Sequence, residues 1–273
     1  MQHRPCMVSC KVKAITIDEN KKAKIDNDKC ISCGACVYKC PFGAISDKSY
    51  VLDIINMLKG SENNTKYNVY AVIAPAIVSQ CRFGRPTQVF TAIQKLGFHK
   101  VVEAALGADI TLYNEALEWK EKGLMTTSCC PSYVAFIEKN FPELVQHISH
   151  SVSPMIMTAQ LIKHSDPTAK CIFIGPCASK KFEFKLPKTG GAIDCVMSFE
   201  ELQAFLDARG IDTVDCEDTE LDHGSFYGRI FAKSGGIVQG LLDVAKDLNV
   251  EGLKPIVMSG IDECRANLTK LKF

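Results

Sequence analysis

Thr127-Ser128-Cys129-Cys130-Pro131 and Gly175-Pro176-Cys177-Ala178-Ser179-Lys180-Lys181-Phe182-Glu183 are the two stretches on which the reading of this chain turns. Each follows an apolar run that reads as a strand, Met125 to Ser128 for the first and Cys171-Ile172-Phe173-Ile174 for the second. Loops at the carboxyl ends of parallel strands are where α/β sheets place their sites, so the two can converge in space. Adjacent cysteines do not easily bridge each other, because successive side chains point apart along an extended chain. Cys129 and Cys130 are therefore expected to do different jobs. Cys177 with Lys180 and Glu183 downstream offers a soft ligand, a cation and a proton carrier.

The sequence around these stretches alternates strand and helix patterns. Val69 to Ala74, Lys100 to Ala105, Ala169 to Ile174, Ile193 to Ser198 and Pro255 to Met258 read as strands. Pro86 to Leu96, Ala108 to Lys122, Ser132 to Asn140, Pro154 to His164, Glu200 to Ala208 and Gly240 to Leu248 read as helices, several opened by Pro or closed by Gly. This predicts an α/β domain over 67–273 with mostly parallel strands. Polar residues Lys59 to Lys66 read as the linker to a smaller module over 1–58.

That module carries Cys30-Ile31-Ser32-Cys33-Gly34-Ala35-Cys36-Val37-Tyr38-Lys39-Cys40-Pro41, the C-x2-C-x2-C-x3-C-P spacing of bacterial ferredoxins. Three thiolates from one loop reach three irons of a cubane, while the fourth enters the following helix and points elsewhere. Zinc sites split instead into two separated knuckles, so the spacing predicts iron–sulfur. A two-cluster ferredoxin needs a second run, and only Cys6-Met7-Val8-Ser9-Cys10 is present. Cys10 then completes the set Cys30, Cys33 and Cys36. Cys6 and Cys40 belong to a partial second site, to which His3 offers one more donor. Ala14 to Ile17, Lys24 to Asp26 and Gly43-Ala44-Ile45 fit the short strands of such an α+β ferredoxin-like module.

Length and composition agree with this reading. The 273 residues suffice for one large domain and a small one. With 32 basic and 31 acidic residues, nothing points to nucleic acid or a membrane as partner. No apolar run is long enough to span a bilayer, and Met1-Gln2-His3-Arg4-Pro5-Cys6 holds no signal core, so the chain reads as cytoplasmic. Six of the fourteen cysteines fall within the first 40 residues, which favours metal binding over disulfides.

The two opening stretches resemble the TSCCP and PCxxKxxE signatures of the [FeFe]-hydrogenases. Ala74-Pro75-Ala76, Gly107-Ala108-Asp109-Ile110-Thr111 and Ser153-Pro154 extend the resemblance from Cys6 to Phe273. The resemblance implies that Cys130 and Cys177 are thiolate ligands of the active-site 4Fe–4S cluster. It implies that Cys129 gives a proton to the attached two-iron unit, once its surroundings lower the thiol pKa. Lys180 would hold a cyanide ligand of that unit, with Lys181 the surface alternative. Glu115, Glu118, Ser149 and Glu183 match the family's proton path, and Ala74, Pro75 and Ser153 would line the pocket. Glu115 and Glu118 also fit one ordinary solvated helix face. Cys81, Cys171, Cys195, Cys216 and Cys264 match no ligand motif. They read as buried hydrophobes, Cys264 being polar enough in context for exposure.

The resemblance implies reversible interconversion of dihydrogen with protons and electrons, electrons passing through the ferredoxin-like module. Partners would be ferredoxin or a similar electron carrier, and the hydrogenase maturation proteins. The alternatives are a hydrogen-sensing relative or an iron–sulfur assembly protein of the same fold; the latter is expected to lack the tandem Cys129-Cys130. The third family signature, roughly ExMACxxGCxxG, is absent, and Glu263-Cys264-Arg265-Ala266-Asn267 does not replace it. On this reading the chain is a piece of a longer protein and inactive as it stands. Gly175 and Tyr133 replace residues that are Met and Trp in many members.

Overall fold

A computed structural model describes residues 4–80, 84–221 and 223–271. His3 and Cys81 lie outside the described residues. The small module is organised by its cysteines. Helix α1 (Pro5–Ser9) carries Cys6 and ends at Cys10. Strands β1 (Ile15–Ile17) and β2 (Ala23–Ile25) pair antiparallel, Ile15 opposite Ile25. Helix α2 (Ala35–Lys39) follows Gly34, whose φ of 75° suits a residue without a Cβ. Cys36 lies within α2, and Cys40 ends it instead of entering a later helix. Gly43-Ala44-Ile45 is not a strand. It turns around Cys40, whose Sγ accepts the Ala44 N–H at 3.3 Å.

Helix α3 (Val51–Gly60), which the sequence reading passed over, sends Ile54 wholly into the larger core. The stretch 59–66 is a folded corner and not a loose linker. Ser61 is buried and donates to the Leu58 carbonyl at 2.7 Å. The Asn64 side chain accepts from the Val69 N–H and donates to the Gly97 carbonyl.

The larger unit runs β3 (Val69–Ile73), α4 (Pro86–Lys95), β4 (Lys100–Glu103), α5 (Ala104–Lys122), α6 (Pro131–Asn140), α7 (Pro154–Ser165), β5 (Lys170–Gly175), α8 (Lys180–Glu183), β6 (Cys195–Ser198), α9 (Phe199–Ala208), α10 (Phe226–Ile230), α11 (Gly236–Asp247) and α12 (Ile261–Lys270). Its four strands are all parallel, in the order β4-β3-β5-β6. The expected mixed α/β fold with parallel strands is present. The central strands β3 and β5 are buried on both faces, which is why they read as continuous apolar runs. The chain winds outward from β3 to β4 and then crosses back to β5. Strand order thus reverses between β3 and β5, and the crevice beyond their carboxyl ends is where such sheets bind ligands. Ala74-Pro75 leaves β3 there, and Pro176-Cys177 leaves β5 beside it.

In the larger unit two more expected strands are absent among the described residues. Met125 to Ser128 makes a single bridge, Thr126 to Ile148. The Thr126 N–H and C=O are taken by His147 and Ser149 at 2.8 Å each, so the segment runs beside 147–149 and never reaches the sheet. The Cys129-Cys130 stretch therefore stands at the start of α6, not at a strand end. Pro255 to Met258 is irregular and largely exposed, with Pro255 removing one ladder donor. Among the described residues no helix is long and apolar enough to cross a membrane.

Helices α5 and α7 cross closely over Gly107. Its N–H donates to Thr158 Oγ1 at 3.1 Å, and a Cβ there would lie 2.3 Å from the Pro154 carbonyl oxygen. Gly107→Ala is expected to lower the unfolding free energy by about 1–3 kcal/mol or more, read from urea midpoints, because backbone and not a flexible side chain blocks the methyl. An unchanged midpoint would show that the crossing has slack.

Candidate metal centre and proton path

The two opening stretches meet although only one follows a strand. At the end of β5, Cys177 Sγ lies 2.9 Å from Ser179 Oγ. The short helix α8 then directs Lys180 back across the crevice. Lys180 Nζ donates to the Cys129 carbonyl at 3.0 Å and pairs with Glu183 Oε2 at 2.5 Å. Cys130 is the residue before Pro131 at the start of α6, with non-helical backbone. Its side chain reaches the surface at the crevice rim, yet protein atoms crowd it and push the thiol pKa up; the Tyr133 N–H and Lys180 work the other way, and the Cys177 charge adds to the rise. Ala74 and Ser153 are buried, Ser153 Oγ without a hydrogen bond among the described residues. A Cβ at Gly175 would meet the Phe173 ring at 2.6 Å and Ala74 at 3.2 Å, so a larger residue there requires these neighbours to shift.

Cys129 departs from expectation. Its surroundings do not lower the thiol pKa; burial pushes it up to about 12, the Glu115 charge adding and Lys180 opposing. The thiol thus holds its proton firmly. Glu115 is wholly buried, which excludes a solvated helix face. Its Oε1 accepts the Ser128 N–H at 3.3 Å, one residue from Cys129, and its Oε2 has no hydrogen bond. Burial pushes its carboxyl up to about 7, against the Ser128 N–H and the Ser149 hydroxyl. Ser149 Oγ in turn donates to Glu118 Oε2 at 2.7 Å. Burial works against the Glu118 charge too, but Lys122, Ser149 and the His150 N–H outweigh it and hold this carboxyl below its ordinary range. Cys129, Glu115, Ser149 and Glu118 therefore form a row leading outward. Glu183 lies apart from it, paired with Lys180.

Lys181 is not a surface residue. It is 7% exposed and pairs with Asp47 and Glu201 at 2.8 Å each. Cys264 is likewise buried, near Cys130 and in one apolar cluster with Ile31, Ala135, Phe136 and Leu268. Cys171, Cys195 and Cys216 are buried, as expected of small hydrophobes. Sequence reasoning missed Lys122 and His150. The i, i+4 spacing of Glu118 and Lys122 was a usable signal.

In the small module Cys10, Cys30, Cys33 and Cys36 line one hollow with Ile15, Ile25 and Ile31. Backbone N–H groups point at two of these sulfurs, Ala14 to Cys10 at 3.2 Å and Ser32 to Cys30 at 3.4 Å. The N–H groups of Phe42 and Ala44 hold the Cys40 thiol below its ordinary pKa. Among the described residues no three Cys, His, Asp or Glu side chains close around a single ion. A hollow lined by four thiols with N–H donors suits a cubane, whose ligands stand around a cage. At the other site Cys130 and Cys177 stand close enough for the Cys177 charge to act on the Cys130 thiol.

The module is seated on the site. The Tyr38 hydroxyl donates to the Pro176 carbonyl at 3.2 Å. Lys139 of α6 donates to the Asn27 and Cys30 carbonyls at 2.9 and 2.7 Å. A Cβ at Gly34 would lie 3.2 Å from the Ala178 Cβ. Between these contacts is an open hollow lined by Cys30, Ser128, Pro131 and Glu183 among others.

Comparison with known proteins gives a consistent picture. Residues 67–272 match the family model described as the C-terminal domain of the iron-only hydrogenase large subunit, and residues 23–46 match a 4Fe-4S binding domain. Iron hydrogenase 1 of Clostridium pasteurianum is 30% identical over 94% of this chain and 58% of its own length. The periplasmic [Fe] hydrogenase large subunit of Nitratidesulfovibrio vulgaris is 30% identical over 85% of this chain and 69% of its own. The cytosolic Fe-S cluster assembly factor NAR1 of Kluyveromyces lactis is 26% identical over 72% of this chain and 45% of its own. Among solved structures, a cysteine-to-histidine variant of apo [FeFe]-hydrogenase HydA1 from Chlamydomonas reinhardtii superposes with a TM-score of 0.62 at 25% identity, covering 78% of this chain and 62% of that one.

Two outcomes are expected of this geometry. Anaerobic reconstitution should load one cubane at Cys10, Cys30, Cys33 and Cys36, and Cys33→Ser should remove most of its reduced EPR signal; stoichiometric zinc without iron would refute the assignment. The second concerns pH. Between about 4.5 and about 7 folded Glu115 keeps a proton that the unfolded chain releases, so its contribution to stability falls as pH rises through that window and levels off above it. Glu115→Gln removes this dependence. Its stability relative to the parent should rise by on the order of 3 kcal/mol from pH 4.5 to pH 8, measured by denaturant titration. A constant difference would mean the carboxyl is not protonated in the fold.

Proposed function

Since the chain belongs to the iron-only hydrogenase family, we propose that it serves the reversible conversion of dihydrogen to two protons and two electrons. The observation that carries this is the meeting of the two cysteine stretches at Lys180, with the Glu115–Ser149–Glu118 row leading away from Cys129. When bound at Cys130 and Cys177, the 4Fe–4S cluster and its two-iron unit supply the redox chemistry of the H–H bond. The chain's own groups do the rest. Cys129 holds a proton at Sγ beside that site. Glu115 exchanges a proton near neutrality, where an acid–base group is most effective. Ser149 and Glu118 link it to the outside. Lys180 presents a compact cation to the anionic face of the bound group. The cubane at Cys10, Cys30, Cys33 and Cys36 would pass electrons between this site and ferredoxin or a similar carrier in the cytoplasm, and loading of the site would require maturation proteins.

A cluster-assembly role, suggested by the NAR1 relatives, needs the cysteine ligands but not a proton path. The buried Glu115 next to Cys129 supports the hydrogenase reading. In protein carrying its full set of clusters, Cys129→Ala is expected to retain iron content and EPR signals yet lose nearly all hydrogen evolution from reduced viologen. Cys177→Ala should instead lose the active-site cluster. Near-parental turnover in Cys129→Ala would overturn the proton role. Intact clusters without turnover in the parent would favour the assembly reading.

A further inference from the structure

The row from Cys129 ends at Glu118, and both Glu118 oxygens are occupied. Oε2 accepts from Ser149 on the inner side. Oε1 faces outward to two groups, Lys122 Nζ at 2.7 Å and His150 Nδ1 at 3.0 Å. The His150 N–H also donates to both oxygens at 3.0 Å, which fixes the backbone against the carboxylate. The two outer partners differ in kind. An ammonium has three protons and no acceptor, so Lys122 neutralises Glu118 but has no vacant lone pair on which to collect a proton. It is also engaged with the Ile148 carbonyl at 3.3 Å, and its side chain is mostly covered. The His150 side chain is 82% exposed, with one ring nitrogen on Glu118. An imidazole can accept at one nitrogen and donate from the other, and histidine is the side chain that ordinarily changes charge between pH 5 and 8.

We propose that His150 is the proton port of this path, trading protons with solvent at Nε2 and with Glu118 Oε1 at Nδ1. The proposal rests on the hydrogenase reading and adds the residue through which that site meets water. In the inward direction Nε2 binds a proton from solvent and Nδ1 releases one to Glu118. The ring is left neutral and Glu118 protonated, and one proton has entered. The ring then regains its starting tautomer by exchange with water, to which it is open. Outward transfer is the reverse. Among the described residues the charged group in contact with the ring is Glu118 of α5, with Lys122 of the same helix sharing its Oε1. His147, on its own segment, is turned to the Leu124 carbonyl at 3.3 Å. His150 acts through Glu118, so it is a positioning and relay residue.

The test uses His150→Gln, which keeps the size and a hydrogen bond, and His150→Ala. In cluster-loaded protein both should reduce hydrogen evolution at pH 8 by roughly tenfold, less than the hundredfold or more contributed by an acid–base group at the reacting atoms. The loss should shrink towards pH 6, where protons are plentiful, and added imidazole should restore the Ala variant. A second readout needs no clusters. After mixing with D2O at pH 6, the infrared C=O band of protonated Glu115 should shift more slowly in both variants than in the parent. Parental exchange rates with an unchanged pH profile, or loss of turnover equal at all pH values and indifferent to imidazole, would overturn the port. A parent protein that holds all its clusters yet shows no hydrogen turnover would remove the hydrogenase reading, and the exchange measurement would still decide the role of His150.

Discussion

A single ammonium group ties the centre of this molecule together. Lys180 leaves the loop after β5, spans the crevice and ends between the Cys129 carbonyl and the Glu183 carboxylate. The Lys180 side chain is only 13% exposed, and removing either partner would leave a largely covered charge unpaired. The bond to a backbone carbonyl matters most, because it fixes the main chain between Cys129 and Cys130 and not just a side chain. The two thiols that the sequence sets side by side are thereby aimed in different directions. Cys130 faces the rim with Cys177, and Cys129 faces the Glu115 carboxyl.

The sheet explains why the site lies where it does. Order reverses between β3 and β5, so their following loops diverge and leave a crevice. The Cys177 loop occupies one wall by right of topology. The Cys129-Cys130 segment reaches the other by a different route. It leads into α6 and is pinned to 147–149 through Thr126, and the latter segment also delivers Ser149, with His150 one residue on. One short pairing of irregular chain therefore places both the Cys129-Cys130 stretch and Ser149.

What the sequence made legible was local. The ferredoxin spacing, the paired motifs and the alternation of strand and helix are all patterns within a few residues, and the fold follows them. The failures are non-local. Met125 to Ser128 has strand composition, but its pairing partner lies outside the sheet. Lys181 reads as a surface lysine until Asp47 and Glu201, distant in sequence, close on it. Glu115 looks solvated on helical spacing alone, yet it is wholly buried and accepts the Ser128 N–H, which comes from outside its helix. Cys264 looks polar beside Asp262, Glu263 and Arg265, yet the helix turns it inward against Phe136. Cys129 was expected to be acidified by its neighbours, and the enclosure that isolates it from water has the opposite effect.

The contact of Gly34 with Ala178 has an evolutionary consequence. One residue belongs to the loop that spaces the module's cysteines and the other to the loop that presents Cys177, and a methyl group at Gly34, whose φ is 75°, would lie 3.2 Å from the Ala178 Cβ, so one loop would have to give by a few tenths of an ångström. Tyr38 and Lys139 bracket the same seam. A ferredoxin-like unit recruited from another lineage could reproduce all its own cysteines and still sit less closely here, unless it brought glycine at this one position. The two halves are separate in pattern and inseparable in shape, so drift in either loop is constrained by the other, and recombination at their junction selects for matched pairs instead of interchangeable parts.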